Sequence, residues 1–178
     1  MTRGELTMQV RPSLILSSIA ALAIVAAVSC NTAGCYDNQS SIPLAGFYDD
    51  SAHNEITVDS LSIGGVGAPG DSLLLNNAAA SSVYLPFRAN RASTSFFIHY
   101  NQEAISDTRL NDTLTFTYDS SPYFASEECG AMFRYTIKDC SYTTHLIESV
   151  EVTDPLITNQ DIERIRIYFR TARQTPQP

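Results

Sequence analysis

The side chains best suited to catalysis or metal binding are few and widely spaced. Each of the three histidines, His53, His99 and His145, lacks a second ligand at the spacing that metal sites use. Two acidic pairs, at residues 49–50 and 127–128, have the chemistry of hydrolytic carboxylates or of a calcium loop, and they also fit solvated turns. We therefore predict no catalytic residue, no metal site and no cofactor, so the chain is expected not to be an enzyme.

A glycine-rich segment from Gly65 to Gly70 (GVGAPG) matches the fingerprint of dinucleotide-binding proteins letter for letter. That fingerprint requires a helix that begins at its third glycine, because the helix N-terminus binds the pyrophosphate. The following residues, Asp71 to Leu75, are typical of a strand instead. The segment is therefore predicted to be a loop between two strands.

The N-terminal region predicts export and lipid anchoring. An uncharged apolar run from Leu14 to Ser29 follows Arg11 and is shorter than the roughly 20 residues that span a membrane. It ends in small residues before Cys30, which resembles a bacterial lipobox. We predict a lipoprotein signal peptide over residues 1–29 and acylation of Cys30. The alternative is an ordinary secretory signal that is cleaved nearby.

Three further cysteines, Cys35, Cys129 and Cys140, would then lie in an oxidising compartment. At about 3.3 Å per residue, an extended chain from Cys129 to Cys140 spans far more than the ~7 Å that a disulfide allows between Cα atoms. Cys35 lies on a short polar tether, residues 30–40, and can reach. We predict a Cys35–Cys129 disulfide and an unpaired Cys140.

Three Asp-Ser/Thr-apolar triplets place Ser60, Ser72 and Thr113 directly after an aspartate. This pattern resembles the acceptor motif for general O-glycosylation of envelope proteins in Bacteroidota. The alternative is a turn that leads into a strand, because Asp and Ser favour turns. Both explanations remain open for these sites.

Charge excludes one class of partner and indicates one docking surface. The net charge is −8 and Lys138 is the only lysine, so binding to nucleic acid, which requires many cationic contacts to phosphates, is excluded. Arg164, Arg166 and Arg170 alternate with apolar residues and should share one strand face. This stripe is either a docking site for an acidic partner or lipid phosphates, or a solvated outer face that protects an edge strand.

Short alternating runs of β-branched and aromatic residues recur along the chain, and helical periodicity is nearly absent. They predict about nine strands, with a bulge at residues 59–60. We further predict a turn at residues 138–139, a returning strand over residues 143–152 and one helical turn within residues 155–163.

Together these elements predict an all-β fold, a single antiparallel β-sandwich over residues 41–171, followed by a flexible tail at residues 172–178. The lipoprotein signal peptide and the tether precede it.

The order of these features resembles a family of small uncharacterised lipoproteins of Bacteroidota, each a single domain of unknown function. The resemblance runs from Cys30 and Cys35 through the three triplets to the segment Phe124–Gly130 (FASEECG). Its sharpest element is S-E-E-C-G. The resemblance implies no catalytic residue, and Cys140 falls outside its pattern.

A lipid-anchored domain without evident chemistry is expected to offer a binding surface. We predict a docking or accessory module of the outer membrane, on its periplasmic or cell-surface face. Its partners would be the membrane, through the lipid anchor, and an envelope protein such as an outer-membrane β-barrel or its assembly machinery. The alternative is a cell-surface module that binds carbohydrate or calcium.

Overall fold

The computed structural model describes Cys35 and residues 40–170 of the chain. These residues contain three short 3-10 turns, at Pro69–Asp71, Glu103–Ile105 and Thr108–Leu110. The strands are β1 (Leu44–Asp49), β2 (Val58–Gly65), β3 (Leu73–Ala80), β4 (Ser82–Tyr84), β5 (Ser93–Tyr100), β6 (Asp112–Ser126), β7 (Gly130–Tyr142), β8 (Ile147–Val152), β9 (Leu156–Ile157) and β10 (Glu163–Phe169).

The strands form two sheets that pack face to face, which confirms the predicted β-sandwich. The first sheet has the order β4-β1-β10-β8, and the second has the order β3-β2-β5-β6-β7-β9. All pairings of named strands are antiparallel except that of β1 with β10, which is parallel. A parallel pair cannot be joined by a tight hairpin, and here nearly the whole domain separates its two strands.

Alternation in the sequence decides which face of each strand enters the core. In β10, Ile165, Ile167 and Phe169 are buried, whereas Arg164 and Arg166 lie on the outward face. Both sheets contribute aromatic and branched side chains to one hydrophobic core, each stabilising the fold by roughly 1.5–3 kcal/mol when fully buried. The largest fully buried side chains are Phe47, Phe96, Phe116, Leu61, Ile63, Leu85, Ile98, Leu114, Ile147, Ile157, Ile165 and Ile167.

The predicted bulge at residues 59–60 is present in β2. The pairing of β2 with β3 shifts between Val58 and Leu61, and Ser60 has a φ of 54°. An extra residue of this kind bends the strand and increases its local twist. After the bulge, Leu61 and Ile63 both face the core.

Three predictions about the C-terminal half are wrong. Residues 138–139 do not form a turn, because β7 continues through them to Tyr142. Lys138 is the extra residue of a bulge opposite β6, and its Nζ lies 2.8 Å from a carboxylate oxygen of Asp119. Two exposed charged residues in succession therefore mark a bulge here. The predicted returning strand over residues 143–152 does not pair with β7: its strand, β8, begins at Ile147 and pairs with β10 in the other sheet.

The segment predicted to form one helical turn contains instead the short strand β9, which pairs with β7. Ile157 of β9 is buried in the core. A two-residue strand carries too little alternation to be recognised in a sequence.

The β6–β7 hairpin extends beyond the rest of its sheet. Pairing of β6 with β5 ends at Thr117, and from Ser120 onward β6 pairs with β7 alone. We call residues 120–134 of this hairpin the overhang. Its turn, at residues 127–129, holds Cys129.

Cys129 is bonded to Cys35, which confirms the predicted disulfide. Their Cα atoms lie 4.7 Å apart, and the bond joins residues 94 positions apart in the sequence. We call this the disulfide end of the sandwich. Cys140 is a free thiol whose pKa is raised to about 12 by burial and by the nearby charge of Asp139.

Within Cys35 and residues 40–170, no helix is long and apolar enough to cross a membrane. The predicted signal peptide, most of the tether and the predicted tail lie outside the described residues.

Removal of the disulfide should destabilise the domain without changing its fold. Because the bond closes a long loop, the double variant Cys35→Ser/Cys129→Ser should lose about 2–5 kcal/mol of unfolding free energy. Urea denaturation of the purified protein measures this, and Cys140→Ser is the matched control, with its loss expected to be smaller. An unchanged midpoint in the double variant, or peptide mapping that finds Cys129 bonded to Cys140, would contradict the assignment.

Candidate functional site

Asp112, the first residue of β6, is a buried carboxylate at the end of the sandwich opposite the disulfide. It is 1% exposed. Its two oxygens accept hydrogen bonds from Thr143 Oγ1 (2.6 Å), Tyr100 Oη (2.9 Å) and the backbone N–H groups of His145 (2.9 Å), Leu146 (2.9 Å) and Ile147 (3.0 Å).

The hydrogen bonds keep this carboxylate ionised. Burial alone would raise the pKa of Asp112, but donation by Thr143 and by the backbone of residues 145–147 outweighs burial and lowers the pKa below its usual range. The same arrangement raises the pKa of Tyr100, through burial and the negative charge of Asp112. A carboxylate with five donors has no free lone pair for proton transfer, so its role is to hold structure.

A half-open cleft of about 240 Å³ lies beside Asp112, and we call this end of the sandwich the cleft end. The 3-10 turn at Glu103–Ile105 and the start of β2 form part of its wall. Its lining combines apolar side chains with a polar rim, and consists of Ile56, Thr57, Val58, Asp59, Tyr100, Gln102, Ile105, Leu146, Phe169 and Arg170.

Asp112 positions two walls of this cleft directly. Tyr100 donates to it from β5, and Leu146 donates to it from the segment that crosses from β7 to β8. That crossing segment is also tied to Arg170, whose Nη1 donates to the carbonyl oxygens of Thr144 (2.8 Å) and His145 (3.1 Å). The shape of the cleft therefore depends on one buried charge.

Sequence reasoning missed both Asp112 and the cleft. Asp112 opens one of the three Asp-Ser/Thr-apolar triplets, where it is indistinguishable from a turn residue. Its donors in residues 143–147 lie more than 30 positions away in the sequence. A single aspartate before an alternating strand was the only available signal.

The arginine stripe lies on the outward face of the first sheet, and each of its members has an acidic neighbour. Arg164 pairs with Asp154, and Arg170 pairs with Glu148. Arg166 Nε lies 3.0 Å from Glu163 Oε1, and its Nη1 lies 3.9 Å from Glu151 Oε2. Three arginines thus face four carboxylates, so this face presents alternating charges rather than a concentrated positive potential.

The three histidines lie apart. His53 packs against the ring of Tyr168, with centroids 4.8 Å apart, and His99 packs against Phe97. His145 Nδ1 lies 2.8 Å from the carbonyl oxygen of Asn111. Across Cys35 and residues 40–170, no three His, Cys, Asp or Glu side chains are grouped so that they could hold a metal ion.

The first acidic pair spans the end of β1 and the turn that follows it, and the second pair lies in a turn. Asp49 is buried, and its carboxylate accepts hydrogen bonds from the backbone of Ser51 (3.2 Å) and Ala52 (2.7 Å). Residues 127–128 are exposed in the turn of the overhang, where backbone and Ser126 hydrogen bonds lower the pKa of Glu128.

The glycine-rich segment is a loop between β2 and β3, as predicted. It contains the 3-10 turn at Pro69–Asp71 and is followed by a strand, not a helix. Gly67 and Gly70 have φ values of 66° and 67°, which suit glycine.

The candidate glycosylation sites differ in exposure. Ser72 and Thr113 are exposed, whereas Ser60 is half-buried in the bulge of β2. Their modification stays a prediction. The candidate acylation site, Cys30, lies outside the described residues.

Comparison with known proteins finds one relationship. Residues 60–169 match a family described as "Family of unknown function (DUF6452)". No curated protein and no solved structure matches the chain.

Asp112→Asn should destabilise the domain by about 3 kcal/mol or more, because an amide leaves N–H donors of residues 146–147 without an acceptor, at about 1–3 kcal/mol each. Since the pKa of Asp112 is lowered on folding, its stabilisation is present above the unfolded value of about 3.9 and is lost as the pH falls through the folded value.

Urea denaturation of wild type and Asp112→Asn, from about pH 7 down to about pH 3, measures both effects. The gap between the two proteins should narrow at the acidic end. Asp119→Asn, at an exposed ion pair, is the control and should change stability by roughly 0–1 kcal/mol. A gap that does not depend on pH would contradict an ionised Asp112.

Proposed function

We propose that this chain, which belongs to the DUF6452 family of unknown function, is a non-enzymatic lipoprotein of the outer membrane that docks an envelope protein in its cleft. The lipid anchor attaches near the disulfide end, and the cleft end reaches the partner.

The cleft is the observation that supports docking most directly. Its floor is apolar, with half-buried Ile56, Ile105 and Leu146 open to solvent, and its rim includes Asp59 and Arg170. Its volume of about 240 Å³ falls below the roughly 300–1,000 Å³ typical of small-molecule sites. Such a cleft suits one or two apolar side chains of an extended protein segment, held at a polar rim.

The position of the cleft relative to the disulfide supports the same function. Strand β6 runs from Asp112, beside the cleft, to Ser126, beside the turn that holds Cys129. At about 3.3 Å per residue this strand spans on the order of 45 Å. A chain anchored close to Cys35 would therefore present the cleft well away from its anchor.

The carboxylate beside the cleft also favours binding over catalysis. Asp112 already accepts five hydrogen bonds and its pKa is lowered, so at neutral pH it neither donates nor accepts a proton readily. We propose that it serves the docking site by fixing Tyr100 and Leu146.

Mass spectrometry of the mature N-terminus tests the anchoring. It should show an acylated Cys30 as the first residue, and Cys30→Ser should release the protein from membranes or stop its processing. A mature chain that begins elsewhere, with Cys30 absent or unmodified, would contradict the lipoprotein assignment.

Partner recovery from detergent-solubilised membranes tests the cleft. Ile105→Asp should abolish co-purification of the partner, because it places a charge on the apolar floor, and the milder Ile105→Ala should weaken it. Ile162→Asp is the matched control, since Ile162 is 50% exposed and does not line the cleft. Thermal unfolding should show all three variants folded.

Two further results bear on the docking surface. Arg164→Gln/Arg166→Gln should retain the partner if docking uses the cleft rather than the arginine stripe. Full recovery of the partner by folded Ile105→Asp, or recovery of glycans in place of a protein, would overturn the proposed site.

A further inference from the structure

The overhang exposes an apolar face that no other described element covers. Pro122 pairs with Phe133, and Phe124 pairs with Ala131, so these four side chains share one face of the hairpin. Phe124 is 66% exposed and Phe133 is 43% exposed. Nearer the core, the same face holds Ser120, whose Oγ donates to the carbonyl oxygen of Ala89 at 2.8 Å.

Within the part of the chain that the structure describes, the basic residues without an acidic partner lie at this same end. Among the described residues, the arginines and the lysine that form ion pairs are Arg109, Lys138, Arg164, Arg166 and Arg170. The three that form none are Arg88, Arg91 and Arg134.

The positions of these three arginines follow from their neighbours. The turn that holds Arg88 and Arg91 lies against the base of the overhang, because Tyr118 Oη accepts a hydrogen bond from the backbone N–H of Arg88 at 2.9 Å. Arg134 belongs to the overhang itself, and its Nε donates to Ser121 Oγ at 3.1 Å. In the described part of this chain, whose net charge is −8, the positive charges without an acidic partner thus lie on the overhang and at its base.

The short segment between Cys30 and Cys35 limits the distance between an acylated Cys30 and the overhang. The disulfide fixes Cys35 to Cys129 in the turn of the overhang. Five residue steps separate Cys30 from Cys35, and at no more than about 3.6 Å each they span at most roughly 18 Å. An acyl chain on Cys30 therefore brings the overhang close to the bilayer surface.

We infer that the overhang and the turn at residues 88–91 lie on the phospholipid bilayer, with Phe124 and Phe133 at the interface and the three arginines on lipid phosphates. This inference rests on the proposed lipid anchor. Arginine binds phosphate through its planar fork of donors, and aromatic side chains suit the interface. The exposed carboxylates of Glu127 and Glu128 keep the turn at the level of the headgroups, because a charge is costly in hydrocarbon.

The chain has no tryptophan, so a single one reports on its own surroundings. The acylated full chain carrying Phe124→Trp is reconstituted in vesicles of phosphatidylethanolamine and phosphatidylglycerol that contain brominated lipids. Its emission should shift to shorter wavelength and be quenched by bromine. Ala104→Trp, at an exposed position on the cleft end, is the control and should keep a solvent-like emission.

The contribution of the arginines is measured on the Phe124→Trp background. Replacement of Arg88, Arg91 and Arg134 by Gln should remove most of the quenching. Replacement of Arg109, Arg164 and Arg166 by Gln changes the net charge equally and should leave the quenching unchanged.

Different results test the bilayer contact of the overhang and the acylation of Cys30. Solvent-like emission of Phe124→Trp in a protein with acylated Cys30 would overturn the bilayer contact alone. Absence of bromine quenching in the vesicles, together with a protein crosslink at position 124 in native membranes, would assign the apolar face to a protein instead. Absence of acyl chains on Cys30 would overturn the anchor and this inference together.

Discussion

The ionised carboxylate of Asp112 is the constraint on which the cleft end depends. Burial of an unpaired carboxylate would cost several kcal/mol, so the fold must supply donors from every side. They come from β5 through Tyr100 and from the crossing segment at residues 143–147, which carries the chain from the six-stranded to the four-stranded sheet. The hydrogen bonds to Asp112 thereby connect the two sheets at a place where no strands pair between them. The same hydrogen bonds fix the walls of the cleft.

The two ends of the sandwich differ in chemistry. The cleft end has an apolar cleft with a polar rim, and its rim residue Arg170 is already tied to Glu148 and to the crossing segment. The disulfide end has exposed phenylalanines and three arginines without carboxylate partners in the described part of the chain. We propose that the disulfide end contacts the membrane and that the cleft end binds a protein.

The sequence contained enough information for the fold class and little for the site. Alternation in Ile165, Ile167 and Phe169 identifies β10 and its buried face, and the elimination of Cys140 identifies the disulfide. Alternation does not say which strand is the neighbour, so neither the parallel pairing of β1 with β10 nor the crossing after β7 could be read from it. Asp112 escaped notice because its importance lies in donors that only the folded chain brings near.

Photo-crosslinking in intact cells tests most directly whether the disulfide end contacts the membrane and the cleft end binds a protein. A photo-reactive residue is placed at Phe124, on the overhang, and separately at Ile105, in the cleft. The account predicts adducts with phospholipid at position 124 and with one envelope protein at position 105. Lipid adducts at position 105, or a protein adduct in place of lipid at position 124, would contradict it.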